Sequence, residues 1–313
     1  MKQLSIMLGA ALFGAISLSS CKKEFKIDYV PMPEGEMCTL TVNASTIVST
    51  KVTDVSKDNT ISDIQIFVFK DGVKEAYTKV NGLSASIECT AGVKDVVVVA
   101  NGPDYKNITS KDALLNTFVD LSANAANKLV MVGTANPTLP VETPVNVEVS
   151  RLVSRVAIHK ITRQFDASVA GVGFKISRIY LHKASKSGNL GKTQFTGYYN
   201  DGDTKTDCAP LLSETPNANL ANNGAHDVNY YFYTMPALEN VCSLVVEAVL
   251  DGKTVYYSVP LPAMEGNKSY EIANLTVKHF GTDEPGEVVE VSAIDFSISV
   301  KGWDIIPVEE PNI

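Results

Sequence analysis

Period-two alternation runs along almost the whole of this 313-residue chain, and such a pattern admits little except β-sheet. Cys38, Leu40, Val42 and Ala44 alternate with Thr39, Thr41 and Asn43. Ile64, Ile66 and Val68 alternate with Gln65, Phe67 and Phe69, and Val145, Val147 and Val149 with Asn146 and Glu148. Successive side chains of a strand point to opposite faces, so each segment reads as a strand with one apolar face. Val96 to Ala100 is a continuous apolar run, as expected of a strand covered on both sides. Leu244 to Leu250 and Thr254 to Val259 flank Asp251-Gly252, a pair suited to the positive φ angles of a tight hairpin turn. Tyr270 to Phe280 and Ile294 to Val300 are further strands. The single expected helix lies near Lys111–Leu121. Short strands with frequent Gly, Pro, Asn and Asp between them predict an all-β chain of antiparallel β-sandwiches. Pro140 and Pro144 set the break near residues 143–152. The expected domains are 37–147 and 148–313, the second ending in a tail over about 282–313.

The amino terminus carries a different signal. Lys2 precedes an apolar stretch from Leu4 to Leu18, which closes on Leu18-Ser19-Ser20-Cys21. This is a secretion signal, residues 1–20, ending in a lipobox: a branched apolar residue, two small residues, then cysteine. A signal peptidase reads small residues in a tight cleft, and the Cys21 thiol accepts a diacylglycerol group. The stretch falls short of the ~20 apolar residues of a membrane span. The mature chain is therefore expected to begin at Cys21 and hold a bacterial envelope by its acyl chains. Residues 21–36, broken by Pro31, Pro33 and Gly35, read as a polar tether.

Processing would remove Lys2 and take Lys+Arg from 27 to 26 against 35 acidic residues, a net charge of −9. Such a balance argues against nucleic acid, which selects basic surfaces. Besides Cys21, only Cys38, Cys89, Cys208 and Cys242 are present, too few for a disulfide scaffold. They read as buried thiols, with two disulfides as the alternative. His159, His182, His226 and His279 are scattered, with no HExxH and no HxH pattern, and His159 and His279 fall within expected strands. Gly191-Lys192-Thr193 resembles the end of a phosphate loop, but Lys186 stands where that loop needs glycine. Asp201-Gly202-Asp203 is too short a set of oxygen ligands for calcium. No GxSxG elbow occurs. The sequence predicts no enzyme, no catalytic or metal-binding residues and no cofactor.

Several segments, taken in order, resemble the Bacteroidetes fimbrillins (type V pilins, the fimbrillin A-like lipoprotein subunits of fimbriae). The lipobox, Ile64–Phe69 and Gly92–Asn101 resemble their amino-terminal domain. Val130–Gly133 resembles a short strand of that domain, and Arg151–Val156 the segment at their domain junction. Ser177–His182 and Tyr231–Thr234 resemble strands of their second domain. Asn267–Tyr270, Gly281–Pro285 and Val300–Trp303 resemble their carboxy-terminal signature.

The resemblance implies two tandem transthyretin-like sandwiches and a place in a pilus used for adhesion. It implies export to the outer membrane, proteolytic loss of a first strand, and filling of the vacated groove by a strand of a neighbouring subunit. Here the displaced strand would carry Cys38, Leu40, Val42 and Ala44, and the donor strand Ile294, Phe296, Ile298 and Val300. The same alternation equally suits a donor strand and a plain last strand of the second domain. The implied partners are other pilin subunits, like or unlike, a processing protease, the outer membrane through the lipid, and a host glycan or protein. One departure stands out: the family is best known for cleavage after arginine, and this chain has none before Arg151. Lys51 sits where such a cut would fall, with Lys57 close by. A chain left uncut would serve instead as a pilus anchor or tip adhesin. A glycan-binding surface lipoprotein is the alternative of another class.

Overall fold

The computed structural model describes residues 35–46, 57–200, 212–287 and 294–302. From Gly35 on, the described residues form one compact unit. Strands of three or more residues run, in chain order, as β1 (Met37–Ser45), β2 (Asp63–Lys70), β3 (Val73–Asn81), β4 (Ser84–Thr90), β5 (Asp95–Ala100), β6 (Phe118–Asp120), β7 (Met131–Ala135) and β8 (Val145–Glu148). They continue as β9 (Ser154–Arg163), β10 (Phe174–His182), β11 (Ala184–Asn189), β12 (Phe195–Tyr199), β13 (Ala225–Thr234), β14 (Ser243–Leu250), β15 (Lys253–Pro260), β16 (Lys268–Val277) and β17 (Ile294–Gly302).

The fold is a β-sandwich built twice. In the first half a three-stranded sheet, ordered β8-β1-β4, accompanies a sheet ordered β7-β5-β2-β3, which Ser150–Arg151 extends at the β7 edge. In the second half the sheets run β13-β9-β16-β17 and β10-β14-β15. Most neighbours are antiparallel, but β1 with β8 and β9 with β16 are parallel, so those pairs are closed by long crossovers. A further small sheet, β12-β11-β6, joins the halves: β6 pairs with β11, and Tyr199 Oη donates to Asp120 Oδ1 at 2.7 Å.

Local chemistry explains these elements. The β14–β15 hairpin turns at Asp251 and Gly252, both with positive φ, as their identities require. The expected helix over Lys111–Leu121 is shorter than its pattern suggests: α1 covers Lys111–Leu115 and ends at Asn116, because Phe118–Asp120 finds a strand partner in β11. The strand expected to reach Phe280 stops at Val277, so His279 lies beyond it. β2 is buried on both faces, Gln65, Phe67 and Phe69 as fully as Ile64, Ile66 and Val68. Its outer side is roofed by the chain after β5: Gln65 Nε2 donates to the Pro103 carbonyl at 2.7 Å, and the Tyr105 amide donates to Gln65 Oε1 at 2.9 Å. In β7, Gly133 passes so close to β8 that any Cβ there would overlap the Glu148 carbonyl.

Candidate functional site

Alternation places Cys38, Leu40, Val42 and Ala44 on the inner face of β1, and all four are buried. The outer face is polar and zipped to its neighbours. Thr39 Oγ1 donates to Glu88 Oε1 at 2.6 Å, Thr41 and Ser86 hydroxyls lie 2.9 Å apart, and Asn43 Nδ2 donates to Asn146 Oδ1 at 3.1 Å. β1 is the middle strand of its sheet: antiparallel to β4 from Met37↔Thr90 to Asn43↔Ser84, and parallel to β8 from Val42↔Val145 to Ser45↔Glu148. Removing it would bare two ladder edges at once and uncover the apolar face behind Leu40 and Val42.

β17 is nine residues long, like β1, but it lies at a sheet edge and pairs with β16 alone. Its apolar side chains are covered unevenly. Ile294 is buried, Phe296 and Ile298 are partly covered, and Val300 is 56% exposed. The chain reaches β17 from the other sheet of the same half. There Thr282 exchanges two backbone hydrogen bonds of 2.9 Å with Tyr256 of β15, and the Gly286 amide donates to Ser258 Oγ at 2.9 Å. The tail thus has a fixed base on β15 and a partly covered apolar strand at the edge of β16.

Beyond β1 the described chain resumes in a 3-10 turn, Lys57–Asn59, which is pinned by a buried polar network. Asp58 Oδ1 accepts from Tyr233 Oη at 2.9 Å, and Asp58 Oδ2 lies 3.4 Å from Arg155 Nη1. Arg151 Nε donates to the Asp58 carbonyl at 3.1 Å, and its Nη2 bonds Asn59 Oδ1. Arg155 continues to Glu271 Oε1 at 3.1 Å and Ser269 Oγ at 2.9 Å, with Tyr231 beneath its guanidinium. His159 Nε2 closes on Glu271 Oε2 at 2.7 Å. Burial dominates at Asp58 and raises its pKa against the opposing pull of Tyr233, Arg155 and Arg151. Burial also works to raise Glu271, but hydrogen bonds from Ser269 and His159, with Arg155 nearby, outweigh it and hold the group low. The turn is therefore fastened to β9, β13 and β16 of the second half, and β16 is the strand that carries β17.

Sequence reasoning found β1 and β17 but missed this network. Its traces in the sequence are that the chain's first two arginines are Arg151 and Arg155, and that both lie in the segment resembling the domain junction. Of the other expected residues, the Lys57 backbone lies in the pinned turn. Cys21, Lys51, Cys208, the Asp201-Gly202-Asp203 turn and Trp303 lie outside the described residues. Cys38, Cys89 and Cys242 are buried free thiols. Gly191-Lys192-Thr193 falls between β11 and β12, where Lys192 Nζ donates to the Ser150 carbonyl at 3.1 Å. Among the described residues, no three His, Cys, Asp or Glu side chains group as a metal site would require.

Residues 38–151 match the family described as "Major fimbrial subunit protein (FimA)". No curated protein matches the chain. Among solved structures, a fimbrilin from Porphyromonas gingivalis aligns with a TM-score of 0.64 at 17% identity, covering 86% of this chain and 98% of that one. A putative cell adhesion protein from Bacteroides eggerthii aligns with a TM-score of 0.63 at 16% identity, covering 88% and 97%. A carboxy-terminally truncated tip fimbrial protein from Porphyromonas gingivalis aligns with a TM-score of 0.53 at 12% identity, covering 86% and 100%. At these identities the structural likeness establishes the fold.

Proposed function

We propose that this fimbrillin-like chain is a structural subunit of a fimbrium, acylated at Cys21, held at the outer membrane and assembled by donor-strand exchange after proteolysis. The observation that carries the reading is the contrast between β1 and β17. Two strands of equal length share one alternation, one central with small inner residues and one at an edge with bulkier, half-covered residues. Ile294 is already buried, so the gain comes from the exposed parts of Phe296, Ile298 and Val300, at most about 1.5–3 kcal/mol each before ordering costs. Ladder bonds to both β4 and β8 would replace the single ladder that β17 makes now.

In this reading the chain is two domains, 37–147 and 148–313. The tail from about residue 282 swings from its base on β15 into a neighbour's groove. Between the two candidate cleavage sites, Lys51 is favoured over Lys57. A protease takes an extended substrate, and Lys57 sits in the turn fastened by Asp58. The fastening also leaves the chain after the cut attached to the second half, so that only the part bearing β1 departs. Partners are further pilin subunits, the processing protease and a host glycan or protein, while the acidic balance argues against nucleic acid. The function needs no catalysis.

The test is a trypsin-like protease applied to protein starting after Cys21, with the new amino terminus and the size distribution read together. A cut at Lys51 followed by a growing oligomer ladder supports the proposal. A chain cut there that stays monomeric contradicts it, and one that resists cutting points to an anchor or tip subunit.

A further inference from the structure

Cys38 on β1 and Cys89 on β4 are directly opposite in register. The Ala91 amide donates to the Glu36 carbonyl at 2.7 Å and the Ala44 amide to the Leu83 carbonyl at 2.7 Å, so these are hydrogen-bonded pairs of the ladder. Such pairs recur every second residue along an antiparallel ladder, which makes Cys38/Cys89 one of them. Cα atoms in such a pair stand about 5.5 Å apart, inside the roughly 4.4–6.8 Å range that a disulfide spans. Both side chains are on the inner face, both are buried, and both are free thiols in this structure.

We propose that Cys38 and Cys89 form an oxidation site whose disulfide staples β1 to β4 and prevents its release. The inference rests on the reading of β1 as the displaced strand. Its force is topological. Lys51 and Lys57 both lie between the two cysteines in sequence, so a cut at either falls inside the disulfide loop and leaves the fragments joined. A reduced chain would part with β1 after cleavage, and an oxidised one would keep it.

The chemistry balances with a disulfide oxidant, whether a protein or a small molecule. Cys38 attacks as thiolate and forms a mixed disulfide, expelling one oxidant sulfur as a thiol. Cys89 then attacks the Cys38 sulfur and expels the second. Two electrons and two protons pass from the cysteines to the oxidant. Cys38 is placed to react first, because it is the second residue of its strand, next to exposed Met37, and fraying of that end uncovers it. Burial, with Cys38 and Glu75 adding to it, pushes the Cys89 thiol up to about 12. The same burial keeps Cys89 a thiol rather than a thiolate, which suits its place as the second of the two to react.

The experiment treats the full chain in detergent with oxidised glutathione, alkylates free thiols and maps the peptides. The same sample is then cut with the trypsin-like protease and run with and without reductant. The proposal expects a linked peptide pair containing Cys38 and Cys89, a cut chain that separates only on reduction, and no oligomer ladder until then. Cys38→Ser and Cys89→Ser should each abolish the linkage and restore release under oxidation. Cys38 and Cys89 recovered fully alkylated from oxidised protein would overturn the proposal, as would a linked chain that polymerises like the reduced one. If reduced, cut protein forms no ladder, the assembly reading fails by itself, and the linked peptide still decides the oxidation site.

Discussion

Arg155→Ala should be among the most damaging single changes outside the apolar core. The guanidinium is 2% exposed and bridges Asp58 Oδ2 at 3.4 Å to Glu271 Oε1 at 3.1 Å, with Ser269 Oγ at 2.9 Å. Truncation takes the shared cation from two buried carboxylates, at 3% and 8% exposure, leaving Asp58 with Tyr233 and Glu271 with Ser269 and His159. Breaking a buried ionic network by removing one partner costs about 3–5 kcal/mol, which lowers Tm by on the order of 10 °C in a chain of this size. The assay is urea unfolding followed by circular dichroism at several pH values. Without Arg155 the native-state pKa of Asp58 should rise further above its unfolded value. The native state then binds more protons than the unfolded chain, so its stability falls as pH rises. The deficit should be largest at neutral pH and shrink as pH falls toward the unfolded carboxylate value of about 4. Asp58→Asn added to Arg155→Ala should recover part of the loss, because one stranded charge is gone. A cost below about 1 kcal/mol, the range of exposed ion pairs, would refute the argument that this network fastens the turn to the second half.

Three further outcomes are expected. Glu271→Gln should flatten the acid limb of the stability profile. The depressed Glu271 pKa contributes stability that is present above the unfolded value and lost as pH falls below about 4, as pH-dependent unfolding would show. Leu40→Ala, at a fully buried position of β1, should cost the intact monomer about 2–5 kcal/mol. Val300→Asp, at a half-exposed one, should cost less than about 0.5 kcal/mol yet stop the oligomer ladder after cleavage. Gly133→Ala should destabilise the first half by about 1–3 kcal/mol in thermal melts, because the new methyl meets the backbone of β8 rather than a side chain that could move.

What the sequence disclosed follows from how local each signal is. The β14–β15 hairpin was readable because alternation and the Asp251-Gly252 turn lie within a few residues of one another. β1 was readable because its inner face is apolar and its outer face consists of small polar residues. Phe118–Asp120 was misread as helix because its strand character depends on β11, far along the chain. The covering of Gln65 was invisible for a similar reason: it depends on the loop after β5 folding back over β2. The Asp58 network was least legible of all. Its members come from the turn after β1 and from β9, β13 and β16, and none sits in a periodic pattern that marks it as more than a surface charge.

The most direct test of donor-strand exchange is calorimetric titration of a synthetic peptide, residues 294–302, into protein before and after cleavage at Lys51. The account predicts saturable binding, close to one peptide per chain, to the cut and reduced protein only, with loss of binding when the Val300 position carries aspartate. No binding to cut protein, or equal binding to intact protein, would contradict it.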